Sequence, residues 1–580
     1  MAKIEDIRHS LAHLLAAAVL KKFPKAKLGI GPVVENGFYY DFLLPRPLVP
    51  EDLKELEKTM KELVKANLPF RGKPVTPLIA KKTFKDQLFK LDLIKEFAKE
   101  KKALKIYSTG DIFSDLCRGG HVKNTKEINT NAFQLDKIAG AYWRGDEKNK
   151  QLTRIYGLAF ETEKELKEFL HMREEAEKRD HKKLGATLGL FAFSPLVGSG
   201  LPLFLPKGAT LLRELGEFVR AEKTKRSYSF VNIPHIAKSD LYKKSGHLGK
   251  YDAMMPLMKD ADGDEFAMKA MNCPHHFEMF NAQPHSYRDL PIRYAETTTV
   301  YRNEKSGELS GLLRVKALTQ DDTHHFVRHD QIGAEIEMIL GLMDSVYKVF
   351  GFSDFLVQVS VRDPKDKKKY FGSDSLWKKS EDILIKAVKS WNKPYVIEKG
   401  EAAFYGPKID IMVKDAIGRH WQLTTVQLDF NQPENFDLHY IGEDGKTHRP
   451  AVLHVAILGS LERFLGVLIE HFAGAFPTWL APNQVRVLAV SEKQRDYAEK
   501  ILSALKESGL RADLGSFEET LGKNIRQGEM EKIPYLLIVG DKEKENNTVN
   551  ARSRKTQQQT EMSLVKFIES IDEEIKEKRL

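Results

Sequence analysis

Apolar positions near the start of the chain repeat with the period of an α-helix. In residues 4–23 they include Ile7 and Leu11, four positions apart, which predicts an amphipathic helix. His9 and His13 are also four positions apart, about 40° around the axis of the same helix, and they lie outside the apolar stripe. We therefore expect both imidazoles to be displayed beside the core instead of packed inside it.

The same kind of pattern divides the rest of the chain into regions. Residues 1–160 mix helical periods with short strand-like runs, which predicts an α+β domain. Residues 161–185 are highly charged with few apolar positions, and we interpret them as a solvated linker helix. Residues 186–482 are richer in aromatic residues, glycine and buried-strand patterns. Residues 483–580 alternate strand-like and helical runs, which predicts a small α/β domain with a parallel sheet.

One segment in the middle of the chain combines acidic and basic residues in a pattern suited to nucleotide binding. Residues 300–326, VYRNEKSGELSGLLRVKALTQDDTHHF, are typical of an antiparallel strand–loop–strand that carries Arg302, Glu304 and Arg314. A guanidinium can bind a phosphate with two hydrogen bonds, and a carboxylate can accept from an exocyclic amine. A surface hairpin with a salt bridge fits these residues equally well.

Two further segments support a ligand site in the same region. In LGSLERF, residues 458–464, Gly459 would let the backbone approach a ligand. Arg463 falls at a predicted helix start, where it could stack on a base or bind a phosphate. Upstream, residues 204–236 predict a long amphipathic helix that leads into a strand containing Pro234.

Composition limits the class of protein. The chain has 580 residues, of which 42% are hydrophobic and 30% charged, as expected for several packed domains. Lys and Arg number 92 against 82 Asp and Glu, and this surplus weakly favours a polyanionic partner such as nucleic acid. No stretch is long and apolar enough to span a membrane, and the apolar run 11–20 lacks the flanks of a signal peptide. We therefore expect a cytoplasmic protein.

Cysteine is scarce. The only two, Cys117 and Cys273, imply no disulfide framework. Both have histidine as a near neighbour, in DLCRGGH and MNCPHH, which favours thiol chemistry or metal ligation. Two buried, inert thiols are the alternative.

These segments together resemble a known family. The predicted helix of 204–236, the hairpin of 300–326 and the helix start at Arg463 resemble the three signature motifs of class II aminoacyl-tRNA synthetases. MNCPHH, RNEKSG, LTQDDTHHF, AFYGPKIDI, TVQLDF and AILGSLERF narrow the resemblance to threonyl-tRNA synthetases. It implies a multidomain α+β and α/β fold with an N-terminal α+β editing domain (1–160), a linker helix (161–185), a class II antiparallel-sheet catalytic domain (186–482) and a C-terminal α/β anticodon-binding domain (483–580).

The resemblance implies a ligase that uses ATP to activate L-threonine to threonyl-adenylate and transfers it to tRNA(Thr). The expected catalytic residues are Arg302, Glu304, Arg463, Lys408 and His247. The expected ATP contacts are Arg302, Glu304, Arg314, Gln422, Thr425 and Arg463, and the expected amino-acid contacts are Gln320, Asp322, Tyr405 and Gln427. One Zn²⁺ per subunit is expected on Cys273, His324 and His454, and Mg²⁺ is expected with ATP.

Discrimination against serine requires a second site. Serine lacks one methyl group of threonine, a difference worth only about 1–3 kcal/mol or roughly 10–200-fold. The resemblance implies a site that hydrolyses seryl-tRNA(Thr), formed by His9, His13, Cys117 and His121 with Tyr40, Lys90, Asp115 and Gly31. The first four could form a tetrahedral zinc set, and we favour a metal-free site.

Other expectations concern partners and departures from the family. Lys532, Glu543 and Arg552 are expected near the anticodon loop, and a homodimer is expected. We expect the family's ubiquitin-like N-terminal domain to be missing, and His275, Thr424 and Val455 replace residues common in the family. The alternatives are a synthetase-derived protein without ligase activity and a related class II enzyme for serine or proline.

Overall fold

The computed structural model describes residues 3–100, 102–415 and 418–580. The chain forms two compact units, Met1–Glu174 and Glu175–Leu580.

The first unit is built on antiparallel sheets. Its helices are α1 (Ile4–Lys22), α2 (Pro50–Lys65), α3 (Pro77–Thr83) and α4 (Leu88–Lys99). Its strands are β1 (Lys27–Leu28), β2 (Val33–Val34), β3 (Gly37–Leu43), β4 (Phe70–Val75), β5 (Leu104–Thr109), β6 (Phe113–Leu116), β7 (Phe133–Tyr142) and β8 (Gln151–Ala159). One sheet has the order β1–β3–β8–β7 with β2 paired to β3, and a second has the order β4–β5–β6.

Helix α1 forms the centre of this unit. It packs against α2 and β3, and every residue from Arg8 to Val19 except His9 is buried. The expectation that both imidazoles lie beside the core is therefore wrong for His13, which is 2% exposed. The reason is the run of alanines in this helix, which makes more than one face apolar and allows neighbouring elements to cover it.

The connection between the units differs from the predicted single helix over 161–185. Helix α5 (Glu163–Arg179) ends before Asp180, and α6 (His181–Thr187) starts directly after it. The Asp180 side chain accepts hydrogen bonds from the amides of Lys182 and Lys183, so it caps the new helix. His181 is buried, so the predicted solvated character does not hold at this position, although Lys182 and Lys183 are exposed.

The second unit contains the largest sheet. Its strands up to residue 460 are β9 (Phe191–Ala192), β10 (Leu203–Phe204), β11 (Ser229–Phe230), β12 (Ile236–Lys238), β13 (Met258–Lys259), β14 (Glu265–Met268), β15 (Ile292–Ala295), β16 (Thr298–Tyr301), β17 (Ala317–Val327), β18 (Phe355–Val361), β19 (Tyr395–Lys399), β20 (Lys408–Lys414), β21 (His420–Asp429), β22 (Tyr440–Ile441), β23 (Thr447–His448) and β24 (Ala451–Ser460). The helices in this part are α7 (Pro206–Thr224), α8 (Ser239–Lys244), α9 (His247–Lys250), α10 (Cys273–Asn281), α11 (Ile332–Val349), α12 (Asp374–Ser390), α13 (Gln432–Asn435) and α14 (Leu461–His471).

The large sheet has the order β11–β15–β17–β24–β21–β20–β18–β19, with β16 paired to β17. Its pairs are antiparallel except β11 with β15 and β18 with β19. Leucine, isoleucine and valine side chains of α7, α11 and α14 pack on it and form the main core. The predicted hairpin is present as β16 and β17. Pro234 lies between β11 and β12 and not in a strand, a correction that fits a residue without an amide hydrogen to donate.

The C-terminal part of this unit is an α/β fold with a mixed sheet. Its strands are β25 (Val485–Ala489), β26 (Ala512–Leu514), β27 (Tyr535–Val539), β28 (Thr548–Ser553) and β29 (Gln559–Ser563). Its helices are α15 (Arg495–Glu507), α16 (Leu521–Met530), α17 (Asp541–Asn546) and α18 (Leu564–Glu577). Strands β25, β26 and β27 are parallel as predicted, but β28 and β29 add antiparallel pairs that the sequence pattern did not show.

Candidate active site and a second histidine–cysteine site

A cavity of about 370 Å³ lies on the large sheet, between the ends of its central strands and α14. Residues of β17, β20, β21 and β24 line its floor. The predicted site residues in its lining are Cys273, Arg302, Gln320, Asp322, Tyr405, Lys408, Gln422, Thr425, Gln427, His454 and Arg463. The structure therefore brings together most of the residues that the sequence assigned to ATP and threonine.

Three of the predicted residues form a compact donor cluster at one end of this cavity. One sulfur or nitrogen atom from each of Cys273, His324 and His454 lies within 4.8 Å of the others. His324 and His454 are direct cross-strand partners on β17 and β24, while Cys273 begins α10. All three side chains are buried, so the cluster faces little bulk water.

The two imidazoles are oriented by further buried groups. His454 Nε2 lies 2.9 Å from Asp429 Oδ2, and His324 Nδ1 lies 2.7 Å from His276 Nδ1. These contacts leave Nδ1 of His454 and Nε2 of His324 for a cation. Outer hydrogen bonds of this kind fix ring orientation at metal sites. The sequence analysis assigned no role to Asp429 or His276.

The donor set fits a zinc ion. One thiol and two imidazoles are zinc ligands, and a set of three leaves a position open for substrate. Burial raises the pKa of the Cys273 thiol well above its usual value, so without a cation the sulfur stays protonated. A bound cation would reverse this, since thiols deprotonate on coordination.

The opposite end of the cavity is positively charged. The Arg463 guanidinium donates to the carbonyls of Leu313 at 2.8 Å and Gln422 at 3.0 Å. Burial, together with the charges of Arg302 and Arg314, lowers the pKa of Arg463 to about 10. Guanidiniums whose charges act on one another in this way are suited to binding a phosphate chain.

Glu304 and Arg314 lie beside this end but outside the cavity lining. Nη2 of Arg314 donates to Glu304 at 2.7 Å and also to Glu308 at 2.7 Å. Glu304 and Arg314, both predicted to contact ATP, thus bind each other here. For Glu304 to bind a nucleotide, its carboxylate would have to accept from the nucleotide as well as from Arg314, or release Arg314.

Lys408, Gln422 and Thr425 are joined by one buried carboxylate. Asp410 Oδ2 lies 2.6 Å from Lys408 Nζ, and Asp410 Oδ1 accepts from Gln422 at 2.6 Å and from Thr425 at 3.1 Å. The sequence analysis missed Asp410. An available signal was its place in the strand-like run KIDIMV, where a carboxylate stands among apolar residues.

Asp322 lines the cavity, whereas His247 lies outside the lining with the centre of its ring 6.0 Å from that of Tyr405. His247 is 2% exposed and its Nδ1 lies 2.8 Å from Ser245 Oγ. Burial, with the charges of His454 and Arg302, lowers the pKa of His247 to about 3, so its ring is neutral near pH 7. Asp322 accepts a hydrogen bond from Asn272 at 2.9 Å, and burial raises its pKa.

The three residues that depart from the family lie in different surroundings. The Thr424 hydroxyl bonds to the Ile457 carbonyl and lies 2.8 Å from the Tyr347 hydroxyl. Val455 is buried in the core of the sheet. The ring nitrogens of His275 have no hydrogen-bond partner among the described residues.

A second cavity, of about 460 Å³, lies in the first unit. His9, His13, Gly31, Lys90, Asp115 and Cys117 are among the residues that line it. His121 is not part of the lining but contacts residues that are. Its Nε2 lies 3.2 Å from Cys117 Sγ, and the centre of its ring lies 4.3 Å from that of the His13 ring. Donor atoms of His9, His13, Cys117 and His121 all lie within 4.8 Å of one another.

Asp115 organises the polar wall of this second cavity. Its carboxylate lies 2.6 Å from Lys90 Nζ, accepts from the Tyr40 hydroxyl, and lies 4.0 Å from His13 Nε2. Burial lowers the pKa of His13 well below its usual value and that of His121 to about 2. The imidazoles are therefore neutral near pH 7, and a neutral ring nitrogen can accept a hydrogen bond from a water molecule.

The three residues predicted to contact the anticodon loop do not all lie in one place. Lys532 and Arg552 line one cavity of about 480 Å³ together with Arg554. Glu543 follows the opposite end of β27, where its carboxylate accepts from the Gly540 amide at 2.9 Å and caps α17.

In the ranges that the structure describes, every helix is either too short or too polar to cross a bilayer.

Comparison with known families identifies three segments. The tRNA synthetase class II core domain (G, H, P, S and T) matches residues 257–472. The anticodon binding domain matches residues 484–574. The threonyl and alanyl tRNA synthetase second additional domain matches residues 104–156, within the unit that holds the second cavity.

Whole-chain relatives agree with this division. A threonine–tRNA ligase from Gloeobacter violaceus is 50% identical and covers 95% of this chain and 89% of its own. One from Rubrobacter xylanophilus is 46% identical over 99% of this chain and 89% of its own. A crystal structure described as the RNA binding domain of threonyl-tRNA synthetase from Cryptosporidium parvum is 37% identical, with a TM-score of 0.65 over 68% of this chain and 98% of its own. The chain belongs to the threonine–tRNA ligases, the threonyl-tRNA synthetase family of class II aminoacyl-tRNA synthetases.

Proposed function

We propose that this chain uses ATP to form threonyl-adenylate, transfers threonine to tRNA(Thr), and hydrolyses mischarged seryl-tRNA(Thr) at its second cavity. The observation that carries the proposal is one cavity whose lining includes Cys273 and His454 of the Cys/His/His cluster together with Arg302 and Arg463. The Cys/His/His cluster suits a β-hydroxy amino acid and the arginines suit a triphosphate, so this cavity suits a reaction between the two substrates. Family membership excludes the alternative of a serine or proline enzyme.

Cys273, His324 and His454 would hold one Zn²⁺ in this proposal. When bound, the ion would offer open positions that the amine and hydroxyl of threonine satisfy and that valine, lacking the hydroxyl, does not. Gln320, Asp322, Tyr405 and Gln427 line the adjoining wall and would orient the amino acid. Asp322 can accept a hydrogen bond from the substrate amine while Asn272 holds its carboxylate in place.

The phosphates of ATP would lie against Arg302 and Arg463, with Mg²⁺ neutralising the remaining charge. Arg302 would bind the α-phosphate, where the threonine carboxylate attacks. Arg463 would bind the γ-phosphate side, and Glu304 would accept from the adenine amine once Arg314 turns to the nucleotide. Lys408, Gln422 and Thr425 share Asp410 and would line the path of the reacting groups.

The second cavity would position a seryl ester for attack by water. His13 and His121 are neutral, and their ring nitrogens would hold the attacking water by hydrogen bonds. Lys90, held by Asp115, supplies a positive charge near the developing oxyanion. Gly31 leaves no room for a side chain, because a Cβ there would lie 2.2 Å from the Tyr40 ring. We propose that this site works without a metal.

Partners and assembly follow from surface features. Lys532 and Arg552 would contact bases of the anticodon loop, because the edges of unpaired bases are exposed. Glu543 would contact a different part of the tRNA from these two residues. A homodimer would cover the exposed apolar side chains of Phe193, Leu196 and Leu203, of which Leu196 is 99% exposed. We propose domain limits of 1–160, 161–185, 186–482 and 483–580.

Amino-acid-dependent ATP–pyrophosphate exchange tests the proposed function. Threonine and serine should both support exchange, and valine should not. A ligase-inactive protein, the remaining alternative, would show no exchange with threonine. Charging of tRNA(Thr) with threonine and not serine would then report on transfer and editing together.

A further inference from the structure

His181 lies outside the active-site cavity, at the start of α6, yet it contacts the loop that carries predicted ATP-binding residues. Its Nδ1 lies 2.8 Å from Glu470 Oε1, and its Nε2 accepts from the amide of Leu312 at 3.1 Å. The His181 and Glu470 side chains are 2% and 5% exposed. A ring that donates to a carboxylate through Nδ1 keeps Nε2 free to accept, so the two contacts require the same tautomer.

The loop at this point is a tight turn from Ser310 to Arg314. The Ser310 amide donates to the Arg314 carbonyl at 3.2 Å, and the Leu313 amide donates to the Ser310 carbonyl at 2.9 Å. Gly311 has a φ of +53°, and a Cβ on it would lie 2.2 Å from Nε2 of His181. The imidazole is thus packed directly against the turn, and glycine is the residue that permits this contact.

Two of the three arginines predicted to contact ATP, Arg314 and Arg463, depend on this turn. The Leu313 carbonyl accepts from Nε of Arg463 at 2.8 Å. The next residue, Arg314, donates to Glu304 at 2.7 Å. A displacement of the turn would therefore move one guanidinium directly and remove a hydrogen bond that holds the other.

We propose that His181 is a positioning residue for ATP binding, which links Glu470 of α14 to the 310–314 turn and so holds Arg314 and Arg463 in their places. His181 itself contacts no substrate. The inference rests on the proposed function, because it takes Arg314 and Arg463 to bind ATP. The sequence pattern assigned the start of α6 to a linker. In this proposal α6 instead contributes to ATP binding in the formation of threonyl-adenylate.

The test is steady-state ATP–pyrophosphate exchange with ATP and threonine varied in turn. His181→Ala should raise the KM for ATP on the order of tenfold while the KM for threonine changes less than about twofold. His181→Gln should recover most of the loss, because its amide can accept from Leu312 and donate to Glu470. His171→Ala, an exposed histidine in the adjoining helix α5, is the matched control and should resemble the unchanged protein.

Gly311→Ala provides an independent variant, since its methyl group would push the turn away from His181. It should raise the KM for ATP selectively as well. The proposal is overturned if His181→Ala leaves the KM for ATP unchanged, or if His181→Ala and His181→Gln raise the KM values for ATP and threonine equally. If His181→Ala does not fold, His181→Gln and Gly311→Ala decide between these results. Failure of the proposed function would look different, because the unchanged protein would then show no threonine-dependent exchange.

Discussion

The amide of Gly459 donates a 3.0 Å hydrogen bond to Oδ1 of Asp321, a residue 138 positions earlier in the chain. The amides of Ile457 and Leu458 donate to the same carboxylate, each at 3.0 Å. The pairing of β17 with β24 shifts register at this point, so the buried carboxylate holds the irregular end of β24. Gly459, with a φ of +74°, lines the active-site cavity there.

Loss of the Asp321 carboxylate should be costly. Asp321→Ala leaves three amides without an acceptor and leaves the buried Lys223 ammonium, now 3.0 Å from the carboxylate, without a counter-charge. We expect the free energy of unfolding to fall by about 3–5 kcal/mol, measured by urea denaturation. Asp240→Ala, which removes an exposed ion pair with Lys243, should leave the free energy of unfolding nearly unchanged. Equal effects of the two variants would show that the Asp321 contacts do not matter.

Asp410 should matter for catalysis although it does not line the cavity. Asp410→Ala frees Lys408, Gln422 and Thr425 from their shared partner, and we expect kcat/KM for threonine activation to fall by about 10–100-fold. Asp354→Ala is the matched control, because Asp354 also pairs with a lysine of β20 but is 84% exposed. It should leave exchange unchanged, and a similar loss in both variants would refute the role of Asp410.

Removing groups of the second cavity should separate charging from editing. His13→Ala or Cys117→Ala should accumulate seryl-tRNA(Thr) while threonine charging persists, because the two cavities belong to different units. The measurement is charging with radiolabelled serine. If mischarged tRNA stays absent in these variants, the second cavity is not the hydrolytic site.

The neutral histidines of the first unit should make its stability fall as the pH is lowered. Burial lowers the pKa of His121 to about 2, against its ordinary value near 6.5. The unfolded chain therefore binds a proton below about pH 6.5 that the native ring does not, and stability falls by about 1.4 kcal/mol per pH unit for this group. Above pH 6.5 the group contributes no pH dependence.

Urea denaturation between pH 4.5 and 7.5 measures this effect. His121→Gln should lose about 2 kcal/mol less than the unchanged protein between pH 6.5 and 4.5. Parallel pH dependences of the two proteins would contradict a buried neutral ring at this position.

The residue pattern predicted the class of fold and pointed to Arg302 and Arg463, while the family resemblance supplied most of the other predicted residues of the cavity lining. The pattern could not predict the convergence of Cys273 with His324 and His454 from spacing, since the three are far apart along the chain and meet only through β17, β24 and α10. That site came from the family resemblance.

What the sequence missed shares a physical cause. Asp321 and Asp410 are carboxylates in strands, and their partners are backbone amides or side chains that only tertiary pairing brings near. The sequence pattern did not predict the burial of His13, because an alanine-rich helix can pack against neighbouring elements on several faces. His181 looked solvated because its neighbours in sequence are charged, while its partners are Glu470 and Leu312.

The most direct test of the central claim compares the two cysteines of the chain. Zinc content and ATP–pyrophosphate exchange with threonine should be measured for Cys273→Ser and Cys117→Ser, before and after treatment with a chelator. We expect Cys117→Ser to retain both the metal and threonine exchange until chelation, and Cys273→Ser to lose both. Full threonine exchange by a zinc-free Cys273→Ser protein would contradict the account.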